Sequence, residues 1–117
     1  MRLVELTTLE LADFGSHGVA MAAVPAAPGA GEFRVHIAGI EAGGTIGAHP
    51  AQTWQLFVVV IGTCRVSADG AEPVVVQPGQ AALWEPGEVH QSWADSDLMA
   101  LIIQSTEQPD LGGLVAK

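Results

Sequence analysis

The chain has 117 residues, 49% of them hydrophobic and 15% charged, and 13 Asp and Glu outweigh four Lys and Arg to give a formal net charge of −9. A chain of this length and apolar content supports one domain with one core, which excludes a disordered or solvating segment. The acidic balance opposes a surface that must neutralise nucleic-acid phosphates or lie on an anionic membrane, so neither is an expected partner.

The N-terminal "MRLVELTTLELADFG" carries one Arg, but Glu5 and Glu10 interrupt the apolar run that a secretory leader needs. Within it "TTLELADF" suits a short helical turn. Pro25 to Glu32, "PAAPGAGE", reads as a loop. "FRVHIAGI" (33–40) alternates like a strand, "EAGG" follows as a turn, and "WQLFVVVI" (54–61) runs to Gly62, which breaks it. Its apolar core, Leu56 to Ile61, is far below the roughly 20 residues needed to cross a bilayer as a helix. "CRVSA" then meets Asp69-Gly70, a dipeptide suited to a tight hairpin turn. "PVVVQ" leads to Pro78-Gly79, "AALW" to Pro86-Gly87, "VHQSW" to "ADSD", and "LMALIIQS" closes the series. About eight short strands punctuated by Gly and Pro predict an antiparallel all-β sandwich or barrel in a single domain, 1–117.

Two further expectations concern surfaces. Residues 54–61 are apolar on both parities, so both faces should be covered, one by the opposing sheet and the other by a strand layer or a second subunit, which motivates a homodimer. The tail after Gln104 contains Pro109 and paired glycines, loses the strand rhythm, and should be loose or laid over a partner. Cys64 is the only cysteine, so no intrachain disulfide forms, and the chain reads as soluble and cytoplasmic.

Chemistry concentrates in two stretches. In the first, Gly43 is followed after five residues by His49, Ala51 stands two further on, and six residues separate Gln55 from Gly62. In the second, "GQAALWEPGEVHQSWA", Gly79, Pro86, Gly87 and His90 keep nearly regular spacing, with Ala94 four beyond His90. Together they resemble the paired motifs of the cupin superfamily over residues 33–104, with 105–117 as a tail. In that resemblance the second motif fits with one extra residue allowed and Pro86 displaced by one place. His49 and His90 match metal-ligand positions, whereas Ala51 replaces the second His of the pattern, Gln55 its Glu and Ala94 its Asn. The resemblance implies a jelly-roll β-barrel (double-stranded β-helix) of six to eight strands, motif residues around a pocket at one mouth, and dimerisation through strand exchange.

The residues themselves limit the chemistry. Catalytic metals take about three protein donors, and His49 and His90 supply two. Gln55 is a feeble ligand beside a carboxylate, and Glu88 completes the set only if it shares a face with His90 rather than pointing from its turn into water. One divalent metal (Zn, Ni, Fe or Mn) is therefore expected to be held weakly, with His49, His90, Gln55 and Glu88 as the candidate ligands. Without a metal, His90 and His49 can move protons while Gln55 fixes a carbonyl or hydroxyl, which suits isomerisation, cyclisation or dehydration of a small organic substrate. The alternatives are a metal-dependent enzyme such as a dioxygenase, completed by Glu88 or His36, and a non-catalytic sensor or protein-interaction module. No phosphate-cradling Gly loop is present, so no nucleotide cofactor is expected.

The remaining side chains have plainer readings. His36 is expected to face solvent, with a third imidazole inside the barrel as the alternative, and His17 is expected in an exposed turn. Trp54, Trp84 and Trp93 read as core and interface anchors, although Trp84 is placed to wall a pocket mouth. Cys64 reads as a small buried apolar residue.

Overall fold

The computed structural model describes residues 1–3, 5–24 and 33–111. The loop expected at 25–32 and the end of the tail, 112–117, lie outside these residues. Nine strands follow in order: β1 Thr8–Glu10, β2 His17–Ala23, β3 Phe33–Pro50, β4 Trp54–Ile61, β5 Cys64–Ala68, β6 Val74–Val76, β7 Ala81–Trp84, β8 Val89–Ala94 and β9 Leu98–Ser105. Every described pairing is antiparallel, in the order β6-β5-β8-β3-β9-β4-β7, with β2 added along β3 and β1 along β2. The sheet rolls into a nearly closed barrel.

The principal departure from expectation is in β3. "EAGG" is not a turn between two strands but a bend inside one strand of 18 residues. Gly43 takes φ +83°, and the β2 ladder slips between His17 and Val19, so the chain swings round without ending its pairing. Before the bend β3 pairs with β9 (Phe33 to Ile40), and after it with β8 (Thr45 to Pro50). The strand thus runs from one mouth of the barrel to the far end and returns. Both of its ends, with the starts of β4 and β8 and the ends of β7 and β9, meet at the same mouth.

Period-two alternation decides which side chains enter the core. Ala38 and Ile40 on β3, Phe57 and Val59 on β4, Cys64 and Val66 on β5, and Leu98, Ala100 and Ile102 on β9 all point inward and are buried. On the other parity of β4, Trp54, Leu56 and Val58 are half-buried. The Asp69-Gly70 turn behaves as expected: both residues have positive φ, and the Ala71 N–H donates to the Ala68 carbonyl at 3.0 Å, closing the β5–β6 hairpin. Gly62, at φ +88°, is required by space as well, because a Cβ there would overlap the Asp97 carbonyl.

The N-terminal segment forms a strand at Thr8–Glu10 and a one-turn 3-10 helix at Asp13–Gly15, slightly later than the helical turn read from "TTLELADF". No helix among the described residues is long and apolar enough to cross a membrane.

Candidate ligand site at the barrel mouth

His49, near the end of β3, and His90, second in β8, are direct cross-strand partners. Directly opposed residues in an antiparallel pair project to the same face. Their rings accordingly touch, with centroids 4.3 Å apart and planes tilted by 57°. The His49 Nδ1–H donates to the Gly47 carbonyl at 2.8 Å, and His90 Nδ1 makes a longer contact of 3.5 Å with the Glu88 carbonyl. A carbonyl at Nδ1 fixes the tautomer, so both Nε2 atoms keep an available lone pair. Nε2 of His90 is buried and has no hydrogen-bond partner among the described residues. Burial, the neighbouring His49 ring and the cost of placing two charges together hold the His90 imidazole down to about 4, so it is neutral at physiological pH.

Both rings are packed on their faces. Phe14 stacks on His49 at 4.0 Å with planes 9° apart, Trp84 stacks on His90 at 4.6 Å, and Phe57 meets Trp84 edge-on at 6.0 Å. With one face of each ring covered in this way, the imidazoles offer their nitrogen edges to chemistry. Trp84 thus takes the mouth-walling place while also belonging to the core. Phe14 escaped the sequence reading, since the only local signal was a turn-like "DFGS". It lies in the 3-10 turn at φ 64°, and this turn is docked by Gly47 N–H donating to Ser16 Oγ at 3.0 Å. A Cβ on Gly47 would overlap the Phe14 carbonyl, so glycine is what allows the strap to lie against β3 beside His49.

The other candidates divide. Gln55 points inward with Phe57 and Val59, is buried, and accepts from Gln104 Nε2 through Oε1 at 3.3 Å. Glu88 is tied back into its own turn, accepting from the Glu85 N–H at 2.7 Å. Ala51, where the motif's second imidazole would stand, is a buried core methyl. Its backbone clasps the Pro86-Gly87 turn through Ala51 N–H to the Glu88 carbonyl (2.8 Å) and Gly87 N–H to the Ala51 carbonyl (2.7 Å).

His36 corrects its expectation. It lies on the inward parity with Ala38 and Ile40, opposite buried Ile102, and its Nδ1 is buried without a partner. The misreading arose because the apolar Val35 and Ile37 looked like the core face, although they are only half-buried, as is His36. His17 is exposed at the start of β2. Cys64 is fully buried, and burial with the nearby Asp95 charge pushes its thiol up to about 11, so it stays protonated.

These residues fit a metal incompletely. Two imidazole Nε2 donors suit a divalent transition metal, but the Gln55 oxygen is already hydrogen-bonded and the Glu88 carboxylate serves its turn. Among the described residues no three His, Cys, Asp or Glu side chains form a metal-binding group. The donor set therefore falls short of the usual three protein ligands.

Comparison with known proteins agrees with this architecture. No curated protein matches the chain. Its fold is similar to that of a cupin-like protein from Thermotoga maritima (TM-score 0.76, 19% identity, covering 91% of this chain and 82% of that one). A predicted oxalate decarboxylase from the same organism is similarly close (TM-score 0.74, 19% identity, 86% and 94%), as is KdgF from a Halomonas species (0.70, 18%, 87% and 89%). At these identities the likeness concerns the fold. The family model described as the cupin domain matches residues 30–104, which takes in both motif stretches and the two facing imidazoles, and the chain belongs to the cupin superfamily.

Proposed function

We propose that this cupin binds a small organic molecule at the barrel mouth and acts on it by hydrogen bonding and proton transfer, without needing a metal. The observation that supports this reading is the His90 Nε2 atom, buried, neutral and without a partner among the described residues. An unsatisfied buried acceptor costs about 1–3 kcal/mol, which a ligand hydroxyl or N–H would recover.

In this reading His90 Nε2 accepts from the ligand, and His49, in contact with it, holds or relays the proton. The His49 ring beside it helps to keep His90 unprotonated. Gln55 orients a ligand oxygen through its free –NH2. Isomerisation, cyclisation or dehydration suits this equipment. Since one face of each ring is covered, the ligand engages the nitrogen edges, and the half-exposed Phe14 strap is the element that yields to admit it. A homodimer formed over the outer face of β4, where Val60 and Ile61 are exposed, fits the same picture and is tested by sedimentation.

Elemental analysis of protein purified without chelator, together with imidazole nitrogen NMR, tests the proposal. The expected result is substoichiometric metal, with His90 Nε2 resonances that move on adding small organic ligands to metal-free protein. One transition metal per chain, lost in His49→Ala or His90→Ala, would instead favour a divalent-metal enzyme.

A further inference from the structure

The strand register assembles a second half of the same mouth, opposite the imidazoles. Arg34 on β3 is the cross-strand partner of Gln104 on β9, Gln104 of Gln55 on β4, and Gln55 of Trp84 on β7. Direct partners share a face, so these side chains form one row across four strands. It is the interior face: the next row inward is His36, Ile102, Phe57 and Ala82, of which Ile102 and Phe57 are buried. The row ends at Trp84, which stacks on His90. Arg34 therefore stands on the rim of the mouth that holds His49 and His90.

Arg34 has no ion-pair or side-chain hydrogen-bond partner among the described residues, in which the one salt bridge joins Arg65 to Asp95. Arg34 is exposed, so its guanidinium is open to a ligand from solution. The Gln104–Gln55 hydrogen bond uses the Gln55 oxygen and leaves its –NH2 without a partner among the described residues, in the same row as Arg34. On the opposite side of the mouth stands the unpartnered, buried His90 Nε2.

We infer that the mouth takes a small monocarboxylate, its carboxylate held by the Arg34 guanidinium and the Gln55 –NH2, and a hydroxyl or enolisable group turned to His90. The inference rests on the small-molecule reading above and names its ligand class. A guanidinium fork matches a carboxylate in two parallel hydrogen bonds. One cation balances one negative charge, whereas a doubly charged phosphate would stay half-neutralised in the field of a chain carrying −9.

The test titrates metal-free protein with short 2-oxo and 2-hydroxy acids (pyruvate, lactate and 4-methyl-2-oxopentanoate), each paired with its own carboxamide, using ligand-observed NMR and the His90 Nε2 resonance. The expected result is that the acids bind about tenfold or more tightly than their amides, as a charge-assisted pair requires. Arg34→Met should erase this preference, while Arg34→Lys should keep part of it. Acids and amides that bind equally and both move His90, or a preference that survives Arg34→Met, would overturn the carboxylate assignment alone. If no acid or amide binds and His90 does not respond, the small-molecule reading falls with it.

Discussion

The two ends of the barrel share β3, β4, β8 and β9, yet they fill their interiors in opposite ways. At the far end the inward positions are Ile40, Cys64, Ala94 and Leu98, all apolar or thiol and all nearly inaccessible. At the mouth the same strands turn His49, Gln55, His90 and Gln104 inward, with exposed Arg34 at the rim, and two buried ring nitrogens, in His36 and His90, have no partner among the described residues. Stability is built where every group is satisfied by packing, and the capacity to bind is held where polar groups lack partners. The difference also explains why the cysteine is inert and the histidines are not: Cys64 is fully buried at the far end, and burial with the Asp95 charge raises its thiol to about 11.

The comparison is broken most severely at the far end. Ile40→Ala should cost about 2–5 kcal/mol in urea unfolding, because the buried side chain leaves a cavity the sheet cannot close. A smaller change there, equal to that of an exposed strand valine, would show that the far end is not the anchor of the fold.

Next in size is the pH response of the mouth. The ordinary imidazole value is 6.5, and His90 is held down to about 4. Between those values the unfolded chain binds a proton that the folded chain refuses, so stability is complete above about 6.5 and is lost as pH falls toward 4, on the order of 3 kcal/mol in all. His90→Leu should remove that slope and raise stability at neutral pH by roughly 1 kcal/mol, since the orphaned acceptor is gone, while abolishing ligand binding. Urea midpoints measured for both proteins from pH 7.5 to pH 4 decide the matter.

Gly47→Ala sharpens the contrast by acting on the strap alone. The added methyl meets the Phe14 carbonyl and should cost about 1–3 kcal/mol by thermal unfolding, accompanied by loss of the ring-current shift that Phe14 imposes on His49. The smallest effect belongs outside the barrel. Arg65→Ala removes an exposed ion pair with Asp95 (3.0 Å) and a contact over Trp93 (5.6 Å to the ring centre), and should change stability by less than about 1 kcal/mol.

The sequence by itself determined the class of fold and the identity of the pair at its centre. Gly and Pro punctuation, period-two alternation and the Asp69-Gly70 turn are local properties, dictated by backbone sterics and side-chain direction, so they can be read one segment at a time. His49 and His90 were legible because a motif spacing encodes a strand register. Three features needed the tertiary structure. The bend at Gly43 could not be told from a turn, because a glycine pair suits either and only pairing partners on β8 and β9 decide. The inward turn of His36 was hidden because apolar Val35 and Ile37 occupy the other parity of the same segment. The Phe14 strap and the row from Arg34 to Trp84 depend on residues far apart in the chain, and no local pattern records which strands become neighbours when a sheet rolls shut.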